Sequence, residues 1–148
     1  MDKNFDKSKE MKTTVSLINN KVNFEGFAGE NKPVSIDYFP PLGDNLGYTS
    51  MELLLLSLSS CVGTAILTFL RKMGKTIFNF DIFSRGIRKE EHPTGFSIIY
   101  LEIILISDDV NSSDMEKVIK HAEETYCPVW SMIKGNVELK IDYQINKK

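Results

Sequence analysis

The sequence predicts a single α+β domain over residues 1–148 with the element order βββ-α-ββ-α-α-β. Three observations carry this reading. Leu53–Leu70 is 18 residues without a charge, set between Glu52 and the pair Arg71-Lys72. Strand-like segments come as a run of three before that stretch, a run of two after it, and one at the C-terminus. Met115, Val118, Ile119 and Ala122 instead recur at helical spacing, with charged residues opposite. Strands in runs separated by helices argue against the strict alternation of a doubly wound sheet.

Each element has a local reason. Thr13–Phe39 reads as an antiparallel meander: TTVSLI, a turn at Asn19-Asn20, KVNFEGFA, a turn over Gly29–Pro33, then VSIDYF. FPPLGDNLGY (39–48) is a loop, punctuated by two prolines and two glycines. Thr49-Ser50-Met51-Glu52 fits a capping box, and the helix it opens runs from Ser50 to Met73. Glu52 at its start and Arg71 and Lys72 at its end suit the helix dipole, and Gly74 suits the C′ position. At 1.5 Å per residue this helix is roughly 36 Å long, the width of a small domain. It is apolar on every side, so it must be buried, either as a core helix or in lipid; its serines and threonines and the flanking strands favour the core.

TIFNFDIFSRGIRK (76–89) follows as a half-buried strand, EEHPTG as a turn, and FSIIYLEIILI (96–106) as a strand too apolar to leave the middle of a sheet. Ser113-Asp114-Met115-Glu116 reads as a second capping box, opening a helix that stops near Tyr126. Pro128 disfavours helix at Cys127 and suits the first position of a short new one. Val137, Leu139, Ile141, Tyr143 and Ile145 then alternate with polar residues in the clearest strand of the chain.

With 148 residues, a hydrophobic fraction of 42% and a charged fraction of 26%, the chain has the make-up of an ordinary globular domain. Eighteen basic against 20 acidic side chains give a net charge of -2, and no basic run interleaves with aromatics, so a nucleic-acid partner has no electrostatic support. MDKNFDKSKEMK (1–12) has no apolar h-region and reads as a flexible tail of a cytoplasmic protein. His92 and His121 lack ligand spacing, so neither a metal nor a cofactor is expected.

The two cysteines, Cys61 and Cys127, stand 66 positions apart and outside any CxxC pair. A reduced thiol pair is therefore expected rather than a structural bridge. Ser57, Thr64 and Thr68 put Cys61 in a stripe of small, mildly polar residues, which admits another backbone or leaves a cavity. As a mid-helix thiol it gets little help from the dipole, and an inert small hydrophobe is the plain alternative. Cys127 sits where an N-cap would, a position that stabilises a thiolate, unless it merely marks a corner of the chain.

Taken together, GYTSMELLLLSLSSCVGTAILTFLRKMG and EETYCPVWSMIKGNVEL resemble the OsmC/Ohr family, the osmotically inducible and organic hydroperoxide resistance proteins. The resemblance extends from about residue 15 and includes the EHPTGF turn. It implies an interlocked homodimer, with no membrane contact, that reduces an organic hydroperoxide in oxidative stress at the expense of a small dithiol or thiol. It assigns Cys61 as the thiolate attacked by peroxide, Cys127 as the resolving thiol and Glu52 as an acidic residue that organises the site. One departure stands out: the peroxidase members activate the cysteine with an arginine from the N-terminal strands, whereas Arg71, Arg85 and Arg88 are the only arginines here. Such a contact is worth roughly 1.5–3 kcal/mol, or about one to two pKa units. Lys21, Lys32 or a partner's arginine are the candidate substitutes. The alternative within this fold is a protein that binds a small hydrophobic ligand in the dimer cleft, with both cysteines as passengers.

Overall fold

The computed structural model describes residues 9–148, so most of the tail expected at 1–12 lies outside it. The chain divides into two compact units, the first ending at Leu53 and the second spanning Leu54–Lys148.

The first unit holds the expected meander: β1 (Thr14–Leu17), β2 (Phe24–Phe27) and β3 (Val34–Ile36), antiparallel in the order β1-β2-β3. Asn19 makes the first turn by accepting from the backbone N–H groups of Lys21 (3.0 Å) and Asn23 (3.1 Å). Strands this short bury little: all of β1 is exposed, including Val15 at 56% and Leu17 at 54%. What orders the loop after β3 is a carboxylate. Asp37 is buried and accepts from the N–H groups of Tyr38 (2.8 Å), Asp44 (3.1 Å) and Leu46 (3.0 Å). Burial pushes its pKa up, but the donors from Leu46, Tyr38 and Asp44, with Lys21 nearby, outweigh that and hold it below the usual carboxylate value. Gly43 and Gly47 keep the loop tight, because a Cβ at either would overlap backbone atoms of Tyr38 or Ser35.

Helix α1 spans Ser50–Lys72. Its capping box is as expected: Thr49 N–H donates to Glu52 Oε2 at 2.7 Å, and Glu52 N–H to Thr49 Oγ1 at 3.2 Å. In the second unit, β4 (Asn79–Arg88), β5 (Phe96–Ile106) and β6 (Glu138–Asn146) form a sheet with β5 in the middle. β4 pairs antiparallel with β5 and β6 parallel with it. Leu58, Val62, Ile66 and Leu70, one stripe of α1, are completely buried, as are Ile99, Ile103 and Leu105 of β5. Each such side chain contributes roughly 1.5–3 kcal/mol. Gly63 brings the helix close to β4, since a Cβ there would lie 3.0 Å from Ile82 Cδ1.

Two details depart from the sequence reading. Helix α2 (Ser112–His121) is capped by Asn111, not Ser113: Asp114 N–H donates to Asn111 Oδ1 and Asn111 N–H to Asp114 Oδ2, both at 3.0 Å. Asn is at least as good a cap as Ser, and the chosen frame also lets Asp114 meet Lys75 at 2.8 Å. Beyond His121 the helix widens into a π-helical turn, Ala122–Tyr126, before α3 (Pro128–Ile133) begins. Lys75 and Thr76, just past α1, are tied to the stretch before α2: Lys75 Nζ donates to the Asp109 carbonyl at 2.7 Å and Thr76 N–H to Asp109 Oδ1 at 3.0 Å.

Candidate functional site

α1 is long and apolar enough to cross a membrane by length and composition, but within this chain it is a sheet-packing helix with one open face. The all-round burial expected from its sequence is not reached by one chain: Ser57, Ser60, Thr64 and Thr68 are exposed and Leu56 is 49% exposed. Two of the hydroxyls on this face turn back on their own helix, Ser60 Oγ donating to the Ser57 carbonyl at 3.1 Å and Thr64 Oγ1 to the Ser60 carbonyl at 2.8 Å. They leave a low floor on which half-buried Cys61 stands.

Along that floor runs a cleft of about 370 Å³, bounded by Cys61, Ala65, Phe69, Lys72, Tyr126 and Pro128 among others. Its aromatic wall is braced from α2: the Phe69 ring stacks on His121 at 5.4 Å and meets Tyr126 at 4.4 Å, with Lys72 Nζ 5.3 Å from the Phe69 centroid. Lys72 lies eleven residues, about three turns, after Cys61, hence on the same face. In the sequence Lys72 reads as a partner of the helix dipole, and its spacing from Cys61 is the signal that also places it beside the cleft.

Cys127 follows the π-helical turn, whose closing bond runs from Cys127 N–H to the Ala122 carbonyl at 3.0 Å. It occupies the N-cap of α3, where Sγ accepts from Trp130 N–H at 3.4 Å. The expected thiolate does not result. Burial, at 2% exposure, and then the neighbouring Cys61 side chain push the Cys127 pKa from 9.0 up to about 12, against the smaller pull of the Trp130 N–H. α3 has six residues, too few for a strong helix-end field to offset desolvation. The two cysteines thus come together as free thiols, one half-exposed in the cleft and one buried and protonated.

Cys127 also borders a second groove, of about 470 Å³, with Glu123, Thr125, Ser131 and Lys134; Cys61 is not among its lining residues. Lys134 pairs with Glu123 at 3.0 Å across it. Glu52 belongs to the first unit, engaged in the Thr49 capping box, and Lys21 pairs there with Asp44. Among the described residues no three His, Cys, Asp or Glu side chains cluster as metal ligands.

The site has relatives. The family model for OsmC-like proteins matches residues 43–142, a span that contains Glu52, Cys61 and Cys127. Protein YhfA of Escherichia coli strain K12 is 23% identical over 95 residues, covering 64% of this chain and 71% of that protein. The crystal structure of a hypothetical protein from Aquifex aeolicus VF5 superposes with a TM-score of 0.82 at 25% identity, over 94% of this chain and 98% of that one. The organic hydroperoxide resistance protein OhrB of Bacillus subtilis superposes with a TM-score of 0.64 at 16% identity, over 91% of this chain and 98% of that one, a likeness of fold. With the family model covering residues 43–142 and the α+β architecture shared throughout, the chain belongs to the OsmC-like protein family.

Proposed function

We propose that this OsmC-like domain is a thiol-dependent peroxidase, with Cys61 as the nucleophile and Cys127 as the resolving thiol. The observation that carries the reading is the unequal pair: a half-buried thiol in an open cleft beside a buried thiol whose pKa lies near 12. A thiol held protonated is inert toward peroxide, so it waits while its neighbour is oxidised. The Cys61 thiolate attacks the distal oxygen of R–O–O–H; the O–O bond breaks, Cys61 becomes a sulfenic acid, and the alkoxide leaves as ROH after taking a proton. The Cys127 sulfur then attacks the sulfenic sulfur, its proton and the hydroxyl leave as water, and a disulfide remains. A small dithiol restores both thiols. The apolar cleft wall of Ala65, Phe69 and Tyr126 suits the organic part of the hydroperoxide.

Glu52 acts in this reading as a positioning residue that fixes the start of the helix carrying Cys61. The activating cation is not an arginine of the N-terminal strands; within the second unit Lys72 is the cation that lines the cleft. Homodimerisation accounts for the exposed apolar side chains of β1 and for Leu56, and a cytoplasmic, reducing location suits two free thiols. Light scattering tests the assembly: a stable monomer of 16.8 kDa overturns it.

The same cleft favours one other reading, a protein that holds a small hydrophobic ligand there without chemistry. One stoichiometric addition of organic hydroperoxide separates the two. The peroxidase loses two hydrogens by intact mass and consumes further peroxide when a dithiol is supplied. Absence of Cys61-dependent consumption up to about pH 9, above the free thiol pKa, leaves the ligand-binding protein.

A further inference from the structure

The two cysteines line different grooves. Cys61 lines the cleft along α1, Cys127 lines the groove between the π-helical turn and α3, and Pro128 borders both. We propose that the oxidant and the reductant use opposite sides of the site: hydroperoxide reaches Cys61 through the first cleft, and a small dithiol attacks the sulfur of Cys127 through the second groove. This deepens the peroxidase reading and rests on it for its biological setting.

The step balances as thiol–disulfide exchange. A thiolate of the dithiol attacks Cys127 Sγ, the bond between the two protein sulfurs breaks, and its electron pair leaves on Cys61. The second thiol of the reductant, losing its proton, attacks the first sulfur and closes a cyclic disulfide; Cys127 departs and takes up a proton. The dithiol loses two electrons and two protons, and the protein gains both. Leaving-group chemistry favours this direction for the bimolecular step, since exchange is faster when the departing thiol has the lower pKa. Burial and the neighbouring Cys61 disfavour the ionised form of Cys127, so Cys61 is the better group to expel first. Cys127 is then released by an intramolecular attack, where high effective concentration helps the harder departure. The first step also frees the Cys61 sulfur on the side from which the next peroxide comes.

The test separates this inference from the peroxidase reading by making the Cys61–Cys127 disulfide with diamide, so that no peroxide chemistry is needed. The oxidised protein is exposed briefly to 2-mercaptoethanol, quenched in acid, alkylated and mapped by peptide mass. The expected mixed disulfide sits on the Cys127 peptide, with Cys61 alkylated, in roughly tenfold excess over the converse. A mixed disulfide mainly on Cys61, or failure of diamide to join the two thiols, overturns the inference. If diamide forms the bridge and hydroperoxide does not, the peroxidase reading falls while the mapping still decides which sulfur is attacked. Two variants give an independent check. Ser131→Trp, filling the second groove, should slow reduction of the disulfide by dithiothreitol about tenfold and leave its formation by cumene hydroperoxide within about twofold. Thr68→Trp, on the floor of the first cleft, should do the reverse. Equal effects of both variants on both half-reactions would mean that the sides are not separate.

Discussion

Cys61 stands on an unbroken helix of 23 residues, whereas Cys127 stands at a break, where a π-helical turn ends and a six-residue helix begins. The regular element leaves its cysteine half-exposed beside small hydroxyl residues. The irregular one turns its cysteine inward to 2% exposure. A helix N-terminus is commonly where a reactive thiolate is sought, yet here desolvation exceeds what a single N–H donor from a short helix returns. Reactivity in this pair is therefore divided by burial rather than by helix dipole.

Removing either thiol is the strongest way to break that contrast. Cys61→Ser should bring peroxide turnover to background, because the remaining thiol is protonated. Cys127→Ser should still permit one oxidation, which stalls as a sulfenic acid that dimedone traps. Equal residual activity in the two variants, read by peroxide consumption, would mean that the roles are not divided.

A pH series sharpens it next. Peroxide turnover should rise with pH, as a thiolate is the reacting form. Rapid turnover that is flat with pH would point to a cation in the missing arginine's place, and Lys72→Met would then reveal whether it is Lys72. At pH 8 a thiol of pKa about 12 is ionised only to about one part in ten thousand. Iodoacetamide should accordingly label Cys61 and spare Cys127 in the folded protein. The raised pKa also fixes a sign for stability. The advantage of holding Cys127 as a neutral thiol is complete below the free value of 9.0 and is lost as pH rises from there toward about 12. Cys127→Ala should flatten that alkaline limb in thermal unfolding.

Much of this was legible in the sequence because local chemistry decided it. The Thr49 and Glu52 box, Pro128 at the first position of α3 and the alternation from Val137 to Ile145 need no distant partner to be right. What the sequence hid depends on such partners. Asn111 rather than Ser113 caps α2, and the frame it sets is shared with Lys75, about forty positions away. The π-helical turn that leads into buried Cys127 is announced by no periodicity. The parallel pairing of β5 with β6 is likewise long-range. Asp37 reads as an ordinary loop carboxylate until its three N–H donors are seen. Cys61 and Cys127 stand out in the sequence as the two thiols, but only the resemblance to a family gives them paired roles, since their spacing of 66 positions does not.

The smallest expected effect concerns what holds the Cys127 side of the site in place. Asp114 anchors the start of α2, and its pKa lies below the usual carboxylate value, chiefly through Lys75 and then through the Asn111 N–H. A depressed folded-state pKa stabilises above the unfolded value of about 3.9 and ceases to do so as pH falls through the folded value. Asp114→Asn keeps an oxygen for the Asn111 N–H but loses the charge that Lys75 meets at 2.8 Å. With both partners partly solvated, the loss should be about 0.5–1 kcal/mol, or about 1–4 °C in Tm for a chain of this size. Differential scanning fluorimetry at pH 7 should show that deficit, and at pH 3 it should shrink as the wild-type carboxylate protonates. Lys75→Met should cost a similar amount, and the double variant less than the sum, since one contact is removed twice. A deficit that persists unchanged at pH 3 would assign Asp114 to cap geometry rather than to charge. The anchor of Cys127 would then be indifferent to pH in the acid range.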